Sequence, residues 1–117
     1  MSYVLLVIEP RGQRAARSKT EGKAAYAQML EFAESLKRRG VLRAVESLAG
    51  DAAATRVSVR ASQPALVDGP FSEAKEMLGG FFLVDCATRE EALALAAECP
   101  AARWATIEVR ETAPCYA

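Results

Sequence analysis

The tightest constraint on this chain lies between Val67 and Leu83, in the run Val-Asp-Gly-Pro-Phe-Ser-Glu-Ala-Lys-Glu-Met-Leu-Gly-Gly-Phe-Phe-Leu. Ala65-Leu66-Val67 reads as the end of a strand, and Asp68-Gly69-Pro70 as the turn that follows it. The Asp68 carboxylate can accept hydrogen bonds from backbone amides two residues on, and Gly69 can take a conformation that other residues resist. Pro70 fixes its own φ and keeps Gly69 out of helix. Ser72 has the form of an N-cap for a short helix over 72–78, with Glu73 and Glu76 near its positive end. Gly79 suits a left-handed position after that helix, and Gly79-Gly80 releases the chain into the strand Phe81-Phe82-Leu83-Val84. So dense a run fixes geometry. Either it is a rigid connection carried by Asp68, Gly69, Pro70, Phe71, Gly79 and Gly80, or it also positions Asp68 as a carboxylate facing a pocket.

The flanking segments divide cleanly. Tyr3 to Ile8 is apolar at every position, so a strand here must be covered on both faces. Glu9 to Lys19 reads as a polar loop with Arg11, Arg14, Arg17 and Lys19. Four cations beside a strand end can attract an anion, although a solvated loop is the simpler reading. Ser18-Lys19-Thr20-Glu21 has capping-box form, with Thr20 as a competing cap. The helix that follows buries one broad stripe, Ala25, Met29, Phe32 and Leu36 with Tyr26, Leu30 and Ala33 flanking, and stops at Gly40. Val41 to Leu48 is a second strand on which Leu42, Ala44, Glu46 and Leu48 share a face. Glu46, the one carboxylate on that face, belongs at a rim or in a pocket. Thr55 to Arg60 alternates as a half-exposed hairpin strand, returning through Ala61 to Pro64. Thr88-Arg89-Glu90-Glu91 is a second capping box; its helix buries Leu93, Ala96 and Ala97, flanked by Ala92 and Leu95, until Cys99-Pro100 ends it. Trp104 to Arg110 closes the sheet, and 111–117 reads as a C-terminal arm.

With 117 residues the chain makes one domain over 1–117. Fifteen basic and fifteen acidic residues cancel, which argues against electrostatic binding to nucleic acid or membrane. No apolar run is long enough to span a bilayer and no signal-peptide pattern opens the chain, so a cytoplasmic location is expected. Histidine is absent, which removes Ser-His-Asp and Cys-His chemistry and most transition-metal sites. Cys86, Cys99 and Cys115 are odd in number and lack Cys-x-x-Cys spacing, so neither a disulfide framework nor a thiolate zinc site is expected. We expect no metal and no cofactor.

The order β-α-β, an inserted hairpin, then β-α-β predicts an α+β, ferredoxin-like fold. It has a four-stranded antiparallel sheet with both helices on one face. The other face stays apolar, through Leu5, Val7, Phe81 and Leu83 or their alternates, and packing against a second copy would cover it. Between the first long helix, the sheet and the Asp-Gly-Pro-Phe turn lies the natural small-molecule cleft. Its polar candidates are Asp68, Glu46, Tyr26, Lys75 and Glu76. A carboxylate in an apolar cleft can move a proton on a substrate, and Asp68 is the candidate acid/base.

Asp68-Gly69-Pro70-Phe71, followed by Ser72-Glu73-Ala74-Lys75-Glu76-Met77-Leu78-Gly79-Gly80-Phe81-Phe82-Leu83, closely resembles the signature of the DGPF, or YCII-related, family of small bacterial proteins. Tyr3 to Leu6, Gly40-Val41-Leu42, Cys99-Pro100 and Trp104 to Arg110 match the family's other segments, so the resemblance covers nearly the whole chain. It implies a dimeric α+β barrel. Some relatives resemble lactone isomerases and dehydrochlorinases that use a histidine with an aspartate; this chain keeps the aspartate and has no histidine. Others occur with sigma-factor-type transcription proteins. Three functions therefore follow as expectations: a homodimer binding an unknown small molecule, a cofactor-independent isomerase or lyase using Asp68, or a regulatory module with a sigma-factor-type protein partner.

Overall fold

The computed structural model describes residues 1–117. Strand β1 (Ser2–Pro10) leads through the short helix α1 (Gln13–Ala16) into the long helix α2 (Lys19–Arg38). After β2 (Leu42–Ser47) come the hairpin strands β3 (Thr55–Arg60) and β4 (Gln63–Asp68), then β5 (Glu76–Asp85), α3 (Arg89–Glu98) and β6 (Thr106–Glu111). Four strands form one antiparallel sheet in the order β2-β5-β1-β6, while β3 and β4 pair separately. The fold is therefore α+β, with an open sheet. No helix is long and apolar enough to cross a membrane.

Register decides which residues meet the helices. Leu5 lies opposite Phe82, and Tyr3 opposite Val84. These four are buried with Phe32 and Leu36 of α2 and Ala92, Leu95 and Ala96 of α3 in one cluster. Phe32 meets Phe82 edge to face, with ring centroids 5.2 Å apart, a favoured aromatic geometry. The alternate residues Val4, Leu6, Ile8, Phe81 and Leu83 stay half-exposed on the other face. Leu5 and Val7 thus point away from Phe81 and Leu83; the apolar set named from sequence mixed the two faces.

Three further expectations change. Residues 72–75 are a turn and bend with no helix, and the segment from Glu76 to Leu78 is strand, because it pairs with Pro10, Glu9 and Ile8 of β1. Cross-strand hydrogen bonds outweigh a marginal two-turn helix. Gly79 accordingly lies within β5 at a bulge, where the pairing slips from Val7–Gly80 to Ile8–Leu78. On β2 an irregularity at Arg43 changes the alternation, so Leu42 and Val45 pair with the buried Val84 and Phe82. Glu46 lies opposite Phe81, on the open face. In α3 the buried residues are Ala92, Leu95 and Ala96, and Leu93 is exposed.

Helix ends follow their local chemistry. Ser18, not Thr20, caps α2: its hydroxyl accepts from the Glu21 amide while the Glu21 carboxylate accepts from the Ser18 amide. That bonding holds the Glu21 carboxyl below its usual range. At the other end Gly40 takes φ 74°, and the Val41 and Gly40 amides reach the Leu36 and Lys37 carbonyls, a Schellman closure. Thr88 caps α3 by accepting from the Glu91 amide, but the Glu91 carboxylate binds the Ala87 amide rather than that of Thr88. The buried stripe of α2 is narrower than expected: Leu36 is 0 % exposed, whereas Tyr26 and Leu30, on its flank, are 52 % and 49 % exposed. Leu36→Ala should therefore cost about 2–5 kcal/mol in urea unfolding, and Leu30→Ala under about 1 kcal/mol.

Candidate ligand cleft beside the end of β1

Strand β1 keeps its alternation one step past the apolar run. Tyr3, Leu5, Val7 and then Glu9 point to the helix side, leaving Glu9 only 8 % exposed. A buried carboxylate requires a partner, and Arg14 of α1 supplies it. Its Nε donates to Glu9 Oε1 at 2.6 Å and its Nη2 to Oε2 at 3.3 Å. The same Nη2 lies 3.5 Å from the Gly79 carbonyl oxygen. A Cβ on Gly79 would collide with the Glu9 carboxylate, so the glycine makes room for the acid. Gly80 serves the neighbouring strand: a Cβ there would lie 2.7 Å from the Glu46 carbonyl oxygen.

Above this ion pair, between α2 and the sheet, is a cleft of about 420 Å³. Its walls are mainly apolar, with Val7, Met29, Leu30, Ala33 and Phe82 among them, and Tyr26, Arg17 and Trp104 also line it. Gln13 Nε2 donates to the Trp104 carbonyl at 2.5 Å, tying α1 to the segment before β6. The Arg17 guanidinium sits 5.4 Å from the Trp104 ring centroid, and that of Arg103 5.6 Å, within cation–π range. Arg14 is neutralised by Glu9; Arg17 is in no ion pair.

A second cleft, of about 460 Å³, lies against the Asp-Gly-Pro-Phe segment and includes Arg11, Asp51, Arg56, Phe71 and Glu76. Here Arg11 grips both oxygens of Asp51, and its Nε donates to the Ala74 carbonyl at 2.6 Å. Asp51 also accepts from the Phe71 amide at 3.2 Å. The Arg11 hydrogen bond, with the Phe71 amide, holds the Asp51 carboxyl below its usual range. Arg56 stacks 3.7 Å from the centroid of the buried Phe71 ring and pairs with Glu73. Both guanidiniums in this cleft are thus engaged. Gly69 is needed because its position touches the Asp51 carbonyl, where any Cβ would clash with backbone, and its amide donates to the Ala54 carbonyl at 2.8 Å. The need is close approach, not the unusual conformation expected from sequence.

The YCII-related domain model matches residues 1–115. The chain belongs to the YCII-related domain family. It is also similar to an uncharacterized protein of Rhizobium meliloti (strain 1021), 33% identical over 93 residues, covering 80% of this chain and 75% of that one.

In this YCII-related domain the residues proposed from sequence are dispersed. Tyr26 lines the first cleft, Glu46 borders it on the edge strand β2 although its pairing opposite Phe81 sets it on the open face, Glu76 lines the second, and Asp68 and Lys75 line neither. Asp68 is exposed at the end of β4, accepting from the Thr55 hydroxyl at 2.9 Å. The amide-capping duty expected of Asp68 belongs to Asp51, twenty positions from Phe71 in the chain and invisible to a local pattern. Lys75 contributes its carbonyl to the Arg11 amide at 2.9 Å. No three cysteine, aspartate or glutamate side chains converge as a metal-ligating group. Burial pushes the Cys86 and Cys99 thiols up, as befits packing rather than reactivity. Glu9 and Trp104 were not among the sequence candidates, and Arg14 and Arg17 stood only within a cationic loop read more simply as solvated. The available signal was Glu9 in step with Tyr3, Leu5 and Val7.

The load carried by Asp51 can be tested by pH. Asp51 titrates lower folded than unfolded, so its stabilisation is complete above the unfolded value of about 3.9 and is lost as pH falls through the folded value. Asp51→Asn should lower the melting temperature at pH 7 more than Asp68→Asn does. The gap between the two variants should narrow as pH falls below that unfolded value, measured by thermal unfolding across the acid range.

Proposed function

We propose that this YCII-related domain is a dimeric small-molecule-binding protein whose cleft beside β1 takes an organic anion with an apolar body. The observation that carries this reading is Arg17, a guanidinium without a carboxylate partner, beside Trp104 in a mainly apolar cleft. An apolar wall supplies affinity, and one placed charge supplies orientation. Guanidinium geometry suits a carboxylate or a sulfonate.

Trp104 is the only tryptophan, so binding is readable by its fluorescence. The dye 1-anilinonaphthalene-8-sulfonate and its uncharged analogue N-phenyl-1-naphthylamine differ by the anionic group. Arg17→Gln should weaken the sulfonate about tenfold or more, the worth of a charge-assisted hydrogen bond, and leave the neutral dye unchanged. Equal binding of the sulfonate by both proteins would remove the anion from the proposal.

A second reading is a cofactor-independent isomerase or lyase. It is favoured by Glu9, a buried carboxylate lining the cleft, and this site argues for Glu9 in place of Asp68 as acid/base. Turnover lost in Glu9→Gln while dye binding persists would distinguish it from binding alone.

Dimerisation is supported by the open sheet face. The strand order β2-β5-β1-β6, with α2 and α3 contributing to one buried cluster, fits a ferredoxin-like unit. Val4, Leu6, Ile8, Phe81 and Leu83 form the apolar centre of its uncovered face. Two such faces stacked together make the barrel. Phe81→Glu should therefore convert a dimer to a monomer in light scattering at micromolar concentration, and a monomeric native protein would sink the arrangement.

A further inference from the structure

The hairpin β3–β4 has two unlike faces. Cross-strand partners share a face, so Val57 with Leu66 and Val59 with Pro64 form one side that is apolar except for the Thr55–Asp68 pair at its base. Arg56, Ser58, Arg60 and Gln63 lie on the other side, with Ala65 and Val67. Val57, Val59 and Leu66 are 64 %, 57 % and 69 % exposed, and every strand residue except Ser58 is exposed. A two-stranded hairpin is marginal in water without a surface to pack on. This one is tied to the domain at its base, through the Gly69 amide on the Ala54 carbonyl and Arg56 over Phe71.

Size and shape indicate what is missing. A compact monomer of 12.6 kDa exposes about 6,200 Å², whereas this chain exposes 7848 Å². The excess, roughly 1,600 Å², is about twice what one partner contributes to a standard interface of about 800 Å² per side. The radius of gyration is 16.0 Å, against about 13 Å for a compact chain of this length. The molecule measures 46 × 42 × 19 Å. Its thin dimension accommodates one sheet and one helix layer, so the hairpin extends the long dimensions and does not fold back as a third layer.

We propose that the hairpin is an intersubunit arm, whose apolar face Val57, Val59, Pro64 and Leu66 packs on a second copy of this chain. The proposal rests on the reading of the open sheet face as the dimer interface, and the arm extends that interface. Half-exposed Val4, Leu6, Ile8, Phe81 and Leu83 and the hairpin's apolar side are separate uncovered surfaces on one chain. A two-fold dimer presents each surface twice. It can cover both without a different protein, and the excess area is of the size that a large, permanent interface removes.

Sedimentation equilibrium over nanomolar to micromolar concentration tests this. The double variant Val57→Asp/Leu66→Asp should raise the dimer Kd about a hundredfold or more, as loss of buried interface anchors does. Ser58→Asp, on the opposite face, should leave Kd within about threefold, as a rim change does. A native dimer whose Kd the double variant does not move overturns the arm and leaves the open-face reading standing, whether or not another protein binds the hairpin. A monomeric native protein overturns both. Should the double variant fail to fold, hydrogen exchange decides on native protein diluted from dimer to monomer. Hairpin amides over 56–67 protected about tenfold more in the dimer support the arm, and equal protection overturns it.

Discussion

Pairing of β1 with β5 at the centre of the sheet is the constraint from which the other features descend. Its register puts Tyr3, Leu5, Phe82 and Val84 under the helices and leaves Val4, Leu6, Phe81 and Leu83 for the opposite face. A slip of one residue would exchange the sets. It would expose the residues that meet α2 and α3, so one face's packing fixes the other face's apolar character. The bulge at Gly79 belongs to the same pairing and leaves space at the end of β1 for Glu9. Sheet register, open apolar face and cleft are thus consequences of one set of hydrogen bonds.

Much of the architecture is legible in the sequence because it rests on local signals. Helix periodicity and the capping box at Ser18 mark α2, Gly40 ends it, and the apolar runs at Tyr3 and Phe81 mark the central strands. Failures came where a distant partner decided the outcome. Ser72 to Leu78 carries helix-start residues, yet Glu76 to Leu78 is claimed by β1. The irregularity at Arg43 shifts Glu46 relative to Leu42, which strict alternation cannot foresee.

The candidate site was less legible, for the same reason. Asp68 stands in the most distinctive part of the sequence and binds the neighbouring strand's Thr55, while Asp51, opening a single 3-10 turn, holds the segment together through Arg11 and Phe71. Of the three arginines between Glu9 and Lys19, Arg11 goes to Asp51 and Arg14 to Glu9, leaving Arg17 to the cleft with Trp104. Sequence shows the charges but not their pairing. Pairing is what separates a structural guanidinium from one available to a ligand.

The contact between Gly79 and Glu9 ties together two positions seventy residues apart. Neither can drift alone. A side chain at 79 requires position 9 to lose its reach, and a shortened residue at 9 leaves Arg14 without its acid and a void at the bulge. Members of the family should therefore change these two positions jointly, along with the cation on α1. A relative with a bulky residue in place of Gly79 would have surrendered this carboxylate, and its cleft would present a different chemistry on the same scaffold.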